Sequence, residues 1–395
     1  MKIAILTSGI LPVPAVLGGA VENLIDFYLE YNDIHKTHEI TVYSVSHPAT
    51  KVHPALRSEV NHYHYIDTNS MWAKIKRKLY FFMHGEEYHH YFIEYYLEQS
   101  IKDIRKRDYD CVILENRPSY ALKLKRVTKA KLVYHLHNEK LTTEIPQYQS
   151  IYHAASLIIN VSNYITDRVK TINSDDTKCV TIYNGIDINA FSEIHSSLTR
   201  QDLGFTNEDF IIIYSGRINP EKGIKELIEA MNHLTDFPSI KLLIIGSSFF
   251  GDAFSEDDFT QELRNLCKKI KDRIHFTGYV PYKQVPSYLK IADLAVVPSM
   301  WEEAFGLTVL EAMAAGVPLI TTNSGGIPEI CNGVACIVNR SNILNELVDN
   351  IIDLYRSPAL RARLSSQSKN RARHFSKEQY AENFFKALDT LAVSR

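Results

Sequence analysis

This chain has almost no net charge. Its 44 Lys and Arg against 46 Asp and Glu leave −2 at pH 7 over 395 residues, so nothing global suggests a nucleic-acid partner, which would call for a basic surface. Long apolar runs are missing as well, and none reaches the roughly 18 residues that a membrane span needs. The opening Met1-Lys-Ile-Ala-Ile-Leu6 is too short and strand-like for a signal peptide. Cys111, Cys179, Cys267, Cys331 and Cys336 form no CxxC pair and fall mostly in apolar segments. They read as reduced core thiols of a cytoplasmic protein. The GxGxxG dinucleotide fingerprint is also lacking. After the first apolar run the chain passes through Ile10-Leu-Pro-Val-Pro-Ala-Val-Leu-Gly18-Gly19, a turn too long and wrongly spaced for it. That disfavours a dinucleotide oxidoreductase.

What is present is a globular composition, 45% hydrophobic and 23% charged, on a chain long enough for two domains. Lys2 to Gly9 is a continuous apolar strand of the kind buried on both faces of a parallel sheet. His38 to Ser46, Asp110 to Glu115, Lys131 to His137 and Ser156 to Ser162 continue the series, with helical patterns between them. The alternation argues for an α/β fold with an open, mostly parallel sheet. Near Tyr183-Asn184-Gly185-Ile-Asp187 the pattern breaks, and a second series starts at Phe210 to Gly216. It continues at Ile240 to Gly246, Arg273 to Val280, Ala292 to Ser299, Val317 to Thr322 and Val334 to Val338. The expected organisation is a first Rossmann-like domain over 1–185 and a second over 186–375, facing each other across a ligand cleft.

Several stretches invite a chemical reading. Gly18 and Gly19, at a helix start near Ala20, allow a ligand close to the backbone. Strand alternation puts His135 and His137 on one face, and His137, at the loop, is better placed for function. Asp108-Tyr-Asp110 has the form of a DxD metal motif, but it precedes a strand, whereas ligands gather at the carboxyl ends, so it reads as a helix-to-strand turn. Residues 71–96 combine Trp72, Ile75, Leu79 and Phe82 on one helical face with Lys74, Lys76, Arg77 and Lys78. Tyr80, Phe81, Tyr88, Tyr91, Tyr95 and Tyr96 add aromatics. Two readings stand: a helix packing its Trp face on the core, or a basic amphipathic helix on an anionic membrane surface.

In the second half, Arg217 and Lys222 flank the turn Ser215-Gly-Arg-Ile-Asn-Pro-Glu-Lys-Gly223 ahead of a helix. Two fixed cations beside a helix start suit a phosphate, and a departing diphosphate could be stabilised there without metal. Pro298-Ser-Met-Trp-Glu-Glu-Ala-Phe-Gly-Leu-Thr-Val-Leu-Glu311 joins a buried strand to a helix from about Gly306. Glu303 sits in its loop and Glu311 more than a turn inside the helix, where the amino end favours an anion. Ser324-Gly325-Gly326 is a third strand-to-helix turn that exposes backbone N–H groups.

At these residues the sequence resembles the family 4 glycosyltransferases, enzymes of the GT-B type with two Rossmann-like domains, retaining and metal-independent. The likeness spans essentially the whole chain. Glu303-Ala-Phe-Gly-Leu-Thr-Val-Leu-Glu311 matches the family's two glutamates with seven residues between them. Gly216-Arg217, Lys222-Gly223, Asn184-Gly-Ile-Asp187, Gly325-Gly326 and Gly18-Gly19 support it. The resemblance implies that Glu311 holds the donor ribose, Glu303 lies near the donor sugar, and Arg217 and Lys222 clamp the diphosphate. Gly18 and Gly19 approach that diphosphate or the acceptor, His137 sits beside the reacting centre, and Tyr279 and Val280 border the base. Phe305, Gly306 and Leu307 complete the donor-binding set, with no metal and no cofactor. A final helix over 376–395 is implied to return to the first domain. The acidic insert Phe249 to Asp258 departs from the family pattern. The implied activity is transfer from a nucleotide-diphosphate sugar, UDP-linked, to a saccharide or lipid-linked acceptor in surface polysaccharide or glycoconjugate synthesis, in the cytoplasm or at the inner membrane face. Rival readings are a nucleotide-sugar epimerase of the same fold, which needs no second substrate, and a non-catalytic nucleotide-sugar-binding module.

Overall fold

The structure is a computed structural model that describes residues 1–84, 91–193, 196–246 and 258–393. Residues 249–257 of the acidic insert, and Tyr88, lie outside the described residues. The chain divides into two compact units, Met1–Gly185 with Lys377–Arg395, and Ile186–Ser376. Each is a Rossmann-like domain built on a parallel sheet.

Seven strands are described in the first unit: β1 Lys2–Leu6, β2 Glu39–Val45, β3 Asn61–Ile66, β4 Cys111–Glu115, β5 Lys131–Leu136, β6 Leu157–Asn160 and β7 Cys179–Thr181. Their order is β3-β2-β1-β4-β5-β6-β7. Ile3 of β1 pairs with Ile40 on one side and Cys111 on the other, and Ile3, Ala4, Ile5 and Leu6 are wholly buried. A strand covered on both faces has to be apolar throughout. The edge strands need not be, and β3 (NHYHYI) and β7 (three residues) have no apolar run to announce them.

The second unit carries six described strands: β8 Phe210–Ser215, β9 Ile240–Ile245, β10 Ile274–Gly278, β11 Leu294–Val297, β12 Leu319–Thr322 and β13 Cys336–Val338. Their order is β10-β9-β8-β11-β12-β13. The core on one side of this sheet gathers Ile212, Tyr214, Ile224, Leu227, Leu242, Leu294 and Leu347 among others.

Helix α1 (Ala20–His35) packs against the C-terminal helix Lys377–Val393. Tyr28 and Phe384 stack with ring centroids 4.4 Å apart and planes 3° from parallel. The end of the C-terminal helix is tied to β5 by Lys131 Nζ donating to the Leu391 carbonyl at 2.6 Å. Helix α2 (Met71–His84) does not pack its Trp face on the core. Trp72 is 72% exposed and Phe82 91%, and Ile75 and Leu79 are exposed as well. Ala73 is the buried residue at its start.

Phe384 is fully buried and aromatic. Phe384→Ala should destabilise the first unit by about 3–5 kcal/mol, the usual cost of emptying an aromatic core position. Hydrogen exchange, read unit by unit, checks this: protection should fall across β1, β4 and β5 and stay unchanged across β8 to β13.

Candidate active site

A parallel sheet gathers ligands at the carboxyl ends of its strands, where strand order reverses. In the first unit that point lies between β1 and β4, with β5 alongside. Glu115 ends β4, and its side chain is wholly buried. His135 Nδ1 lies 3.0 Å from Glu115 Oε2 and His137 Nε2 2.9 Å from the same oxygen. Tyr28, reaching in from α1, donates its hydroxyl to Oε1 at 2.9 Å. Asn116 follows in a left-handed turn (φ 55°), tolerable for Asn, and its side-chain oxygen accepts the His137 N–H at 3.3 Å.

Burial pushes the Glu115 carboxyl up, but the electrostatic attraction of His135 and hydrogen bonds from both histidines outweigh it and hold the group at about 2. Burial, then His135, lower His137 to about 4 against the opposing pull of Glu115. Gly18 and Gly19 lie at the start of α1, and Gly19 has φ 107°, a conformation in which any side chain would be strained. Burial raises Glu22 to about 7, helped by the field of Glu115.

In the second unit the order reverses between β8 and β11. Arg217 follows β8, its backbone oxygen accepting from the Tyr214 hydroxyl at 2.8 Å, and the residue is exposed. The Asn219 side chain caps the next turn by accepting from Lys222 N at 3.2 Å. Gly223 (φ 68°) passes so close to β11 that a Cβ would lie 1.8 Å from the Pro298 carbonyl oxygen. That contact brings the two loops together, and Lys222 Nζ meets Glu303 Oε1 at 2.5 Å. Ser299, wholly buried, donates to the same carboxylate oxygen at 2.6 Å. Gly326 N donates to the Glu303 carbonyl at 2.8 Å, and Gly325 N to Glu302 Oε2 at 2.6 Å, which draws the third loop onto the second. Arg340 pairs with the other Glu302 oxygen.

Beyond Gly306 runs the helix Leu307–Ala315, which carries Glu311. Glu311 is buried, and burial raises it to about 8 against the opposing hydrogen bond of Tyr282. Phe305 is also buried, its ring edge-on to Phe375. Tyr279 is exposed and Val280 half-buried just past β10.

The anticipated residues thus fall into two groups: Gly18, Gly19 and His137 in the first unit, and Arg217, Lys222, Tyr279, Val280, Phe305, Gly306, Leu307, Glu303 and Glu311 in the second. Asp108 and Asp110 lie at the amino end of β4, where Asp110 accepts from Lys2 N. Sequence reading passed over Glu115, Ser299 and Tyr282. The signal for Glu115 was a lone carboxylate closing the apolar run Cys-Val-Ile-Leu; nothing in the sequence marks the other two.

The profile described as Glycosyltransferase Family 4 matches residues 34–190 and that of Glycosyl transferases group 1 matches 196–371. The chain belongs to this family. It is a family 4, or group 1, glycosyltransferase of the GT-B fold. It is 29% identical to Spore coat protein SA of Bacillus subtilis (strain 168), over 98% of this chain and 99% of that one. It is 27% identical to the lipopolysaccharide 1,2-N-acetylglucosaminetransferase of Salmonella typhimurium, over 72% and 75% of the two chains. The crystal structure of Anabaena Alr3699/HepE in complex with UDP-glucose shares the fold, with TM-score 0.75 and 21% identity over 99% and 100% of the chains.

Among the described residues of this glycosyltransferase, Glu115, His135 and His137 offer ligand atoms within 4.8 Å of one another, close enough for a metal ion. The other ring nitrogens, His135 Nε2 and His137 Nδ1, are buried without a partner. Metal-bound histidines carry a proton there and donate it to an outer partner, so the cluster fits internal hydrogen bonding better than metal ligation. Among the described residues no helix is long and apolar enough to cross a membrane.

A carboxyl raised from 4.5 to about 8 favours the folded state fully at low pH, and that advantage is lost as pH rises through this window. Removing it should matter accordingly: between pH 5 and 9 the wild type should lose on the order of 4 kcal/mol relative to Glu311→Gln. Urea unfolding followed in the second unit checks this; parallel pH curves for the two proteins would show that Glu311 ionises freely when folded.

Proposed function

We propose that this glycosyltransferase moves a sugar from a UDP-linked donor to a saccharide or lipid-linked acceptor, with retention at the anomeric carbon, in the assembly of a surface polysaccharide or glycoconjugate. The observation that carries the reading is the Lys222–Glu303 contact at 2.5 Å, made where the β8 and β11 loops meet, with Arg217 on the same loop as Lys222. A diphosphate needs cations and a sugar needs an acceptor of hydroxyl protons, and this corner supplies both. The relatives are in keeping with it: one transfers N-acetylglucosamine in lipopolysaccharide, and HepE has been crystallised with UDP-glucose.

On this reading Arg217 and Lys222 hold the diphosphate and stabilise it as the glycosidic bond breaks, taking the place of a metal. Glu303, aligned by Ser299 and Lys222, receives donor-sugar hydroxyls. Glu311 takes the ribose hydroxyls, and Tyr279 and Val280 border the base. Phe305 has a buried ring, so it, Gly306 and Leu307 present backbone at the helix start. From the first unit, Gly18 and Gly19 approach the diphosphate or acceptor, and His137 meets a substrate hydroxyl.

The reading includes a cytoplasmic protein held at the inner membrane face through the 71–96 segment. On α2 the exposed Trp72, Leu79 and Phe82 run beside Lys74, Arg77 and Lys78, while Lys76 is engaged with Glu98 at 3.8 Å. Such a face has the chemistry of an interfacial helix.

Charge that grows only in the transition state is read in kcat rather than KM. Losing one preorganised electrostatic contact costs roughly 10²–10³ in kcat in an oxyanion hole. With a panel of nucleotide sugars, turnover or slow hydrolysis of a UDP-sugar is expected and should survive EDTA. Lys222→Ala should lower kcat at least about tenfold with a smaller change in donor KM. Absence of turnover with tight UDP binding would favour a binding module, and loss in EDTA restored by magnesium or manganese would remove the metal-free assignment.

Lys74, Arg77 and Lys78, which have no ion pair among the described residues, would contribute about 1 kcal/mol each near an anionic surface. The protein should therefore sediment with vesicles containing phosphatidylglycerol and stay in solution with neutral ones, and Trp72→Ala with Phe82→Ala should weaken that recovery. Equal recovery with both lipids would return α2 to an ordinary surface helix.

A further inference from the structure

One buried cluster contains more structure than the proposed donor site uses. Glu115 has three hydrogen-bond donors aimed at it, from α1 (Tyr28) and from β5 and its end (His135, His137). His135 Nδ1 lies 3.0 Å from one carboxylate oxygen and 3.2 Å from the other. The two rings are 4.1 Å apart between centroids, yet they meet the carboxylate through different nitrogens. Whatever proton each ring shares with Glu115 sits on Nδ1 in His135 and on Nε2 in His137. That leaves His135 Nε2 and His137 Nδ1, both buried and both without a partner. A buried N–H without an acceptor costs its full desolvation, whereas a bare ring nitrogen is the weaker demand. The geometry therefore favours opposite tautomers on neighbouring histidines.

We propose that Glu115 is the positioning residue of this active site: its carboxylate fixes His137 as the Nε2–H tautomer, so that the bare Nδ1 accepts a hydrogen bond from a substrate hydroxyl. This rests on the reading of His137 given above. The ring's surroundings agree with a neutral acceptor, since burial and His135 hold His137 at about 4. The titratable groups facing the cluster are Tyr28 and Glu22 on α1, Tyr380 on the C-terminal helix, and Glu115 and His135 themselves. Tyr28 and Tyr380 are pushed well above their usual range by burial and by the field of Glu115, so neither supplies a charge at neutral pH. Asn116 holds the backbone of His137 from the other side. A ring locked in the wrong tautomer would present a donor where the substrate also donates, and the contact would become repulsive.

The test has two independent readouts. Long-range ¹H–¹⁵N correlation on full-length protein labelled with ¹⁵N-histidine, assigned with His135→Phe and His137→Ala, should show at pH 7 an Nε2–H ring for His137 and an Nδ1–H ring for His135. Glu115→Ala should erase the Nε2–H signature of His137 and lower kcat at least tenfold, with UDP affinity by calorimetry unchanged. Glu115→Asp should restore the tautomers and part of the rate, which a purely structural role for the carboxylate would not separate from folding. If Glu115→Ala does not fold, the wild-type spectrum and Glu115→Asp still decide. An Nδ1–H or doubly protonated His137 in the wild type, or full kcat in Glu115→Ala, would overturn the proposal. Full kcat in His137→Ala would instead remove the role assigned to His137 while leaving the tautomer lock standing.

Discussion

A parallel sheet covered on both faces makes a polar side chain along its strands costly unless it finds a partner, because every group between the two helical layers is out of reach of water. Ile3 to Leu6 of β1 and Ile212 to Ile213 of β8 are buried to within 1%. The polar chemistry of such a domain collects where the strands end, and it collects most where neighbouring strands leave in opposite directions along the sheet. Both units obey this constraint. Glu115 and His137 stand at the ends of β4 and β5, and Lys222 and Glu303 on the loops after β8 and β11. The turns that carry them are short and tightly packed. That is why Gly223 has no space for a Cβ beside Pro298, and why Lys222 and Glu303 meet.

The two buried acids show how much the local donors decide. Glu115 and Glu311 are both removed from water, and burial alone would keep either one protonated. Glu115 is nonetheless held at about 2, because the electrostatic attraction of His135 and hydrogen bonds from His135 and His137 outweigh burial. Glu311 has one counteracting hydrogen bond, from Tyr282, and stays near 8. The same desolvation gives opposite protonation states at pH 7. The two histidines beside Glu115, which Glu311 lacks, separate them.

Much of this was legible in the sequence and part was not, for reasons that can be named. The central strands show as unbroken apolar runs, so the alternating α/β pattern and the break near Gly185 can be read directly. Edge strand β3, NHYHYI, alternates polar and aromatic residues and pairs on one side with β2, so no apolar run marks it. The loop carrying Glu303 could be found by its spacing to Glu311. Its partner Ser299 could not, since one serine in a polar loop is like any other until the fold turns it toward the carboxylate. The amphipathic pattern of α2 predicted a buried Trp face and a membrane-facing one equally well. Periodicity fixes which residues share a face, but not what that face meets, and here Trp72 and Phe82 meet solvent. In the sequence Glu115 shows only as the last residue of a strand. A charge at the end of a run that is otherwise apolar is costly to bury unpaired, and that cost was the clue.

The ion pair at the heart of the second unit bears on how a diphosphate would be received there. Lys222 has a carboxylate at 2.5 Å, and that carboxylate also has the Ser299 hydroxyl. The lysine is therefore held in place before any ligand arrives, so little of its rotamer entropy remains to be lost on binding. The pair is about a quarter exposed on the lysine side and less on the glutamate side, a position in which neither full solvation nor full desolvation applies. An incoming diphosphate, with more than one charge, would compete for Lys222 on favourable terms, while sugar hydroxyls would replace the lysine as donors to Glu303. On the proposed assignment the donor thus exchanges partners with the pair rather than stripping it bare. Neither the cation nor the carboxylate is left buried and alone at any stage, which is the state that would cost most.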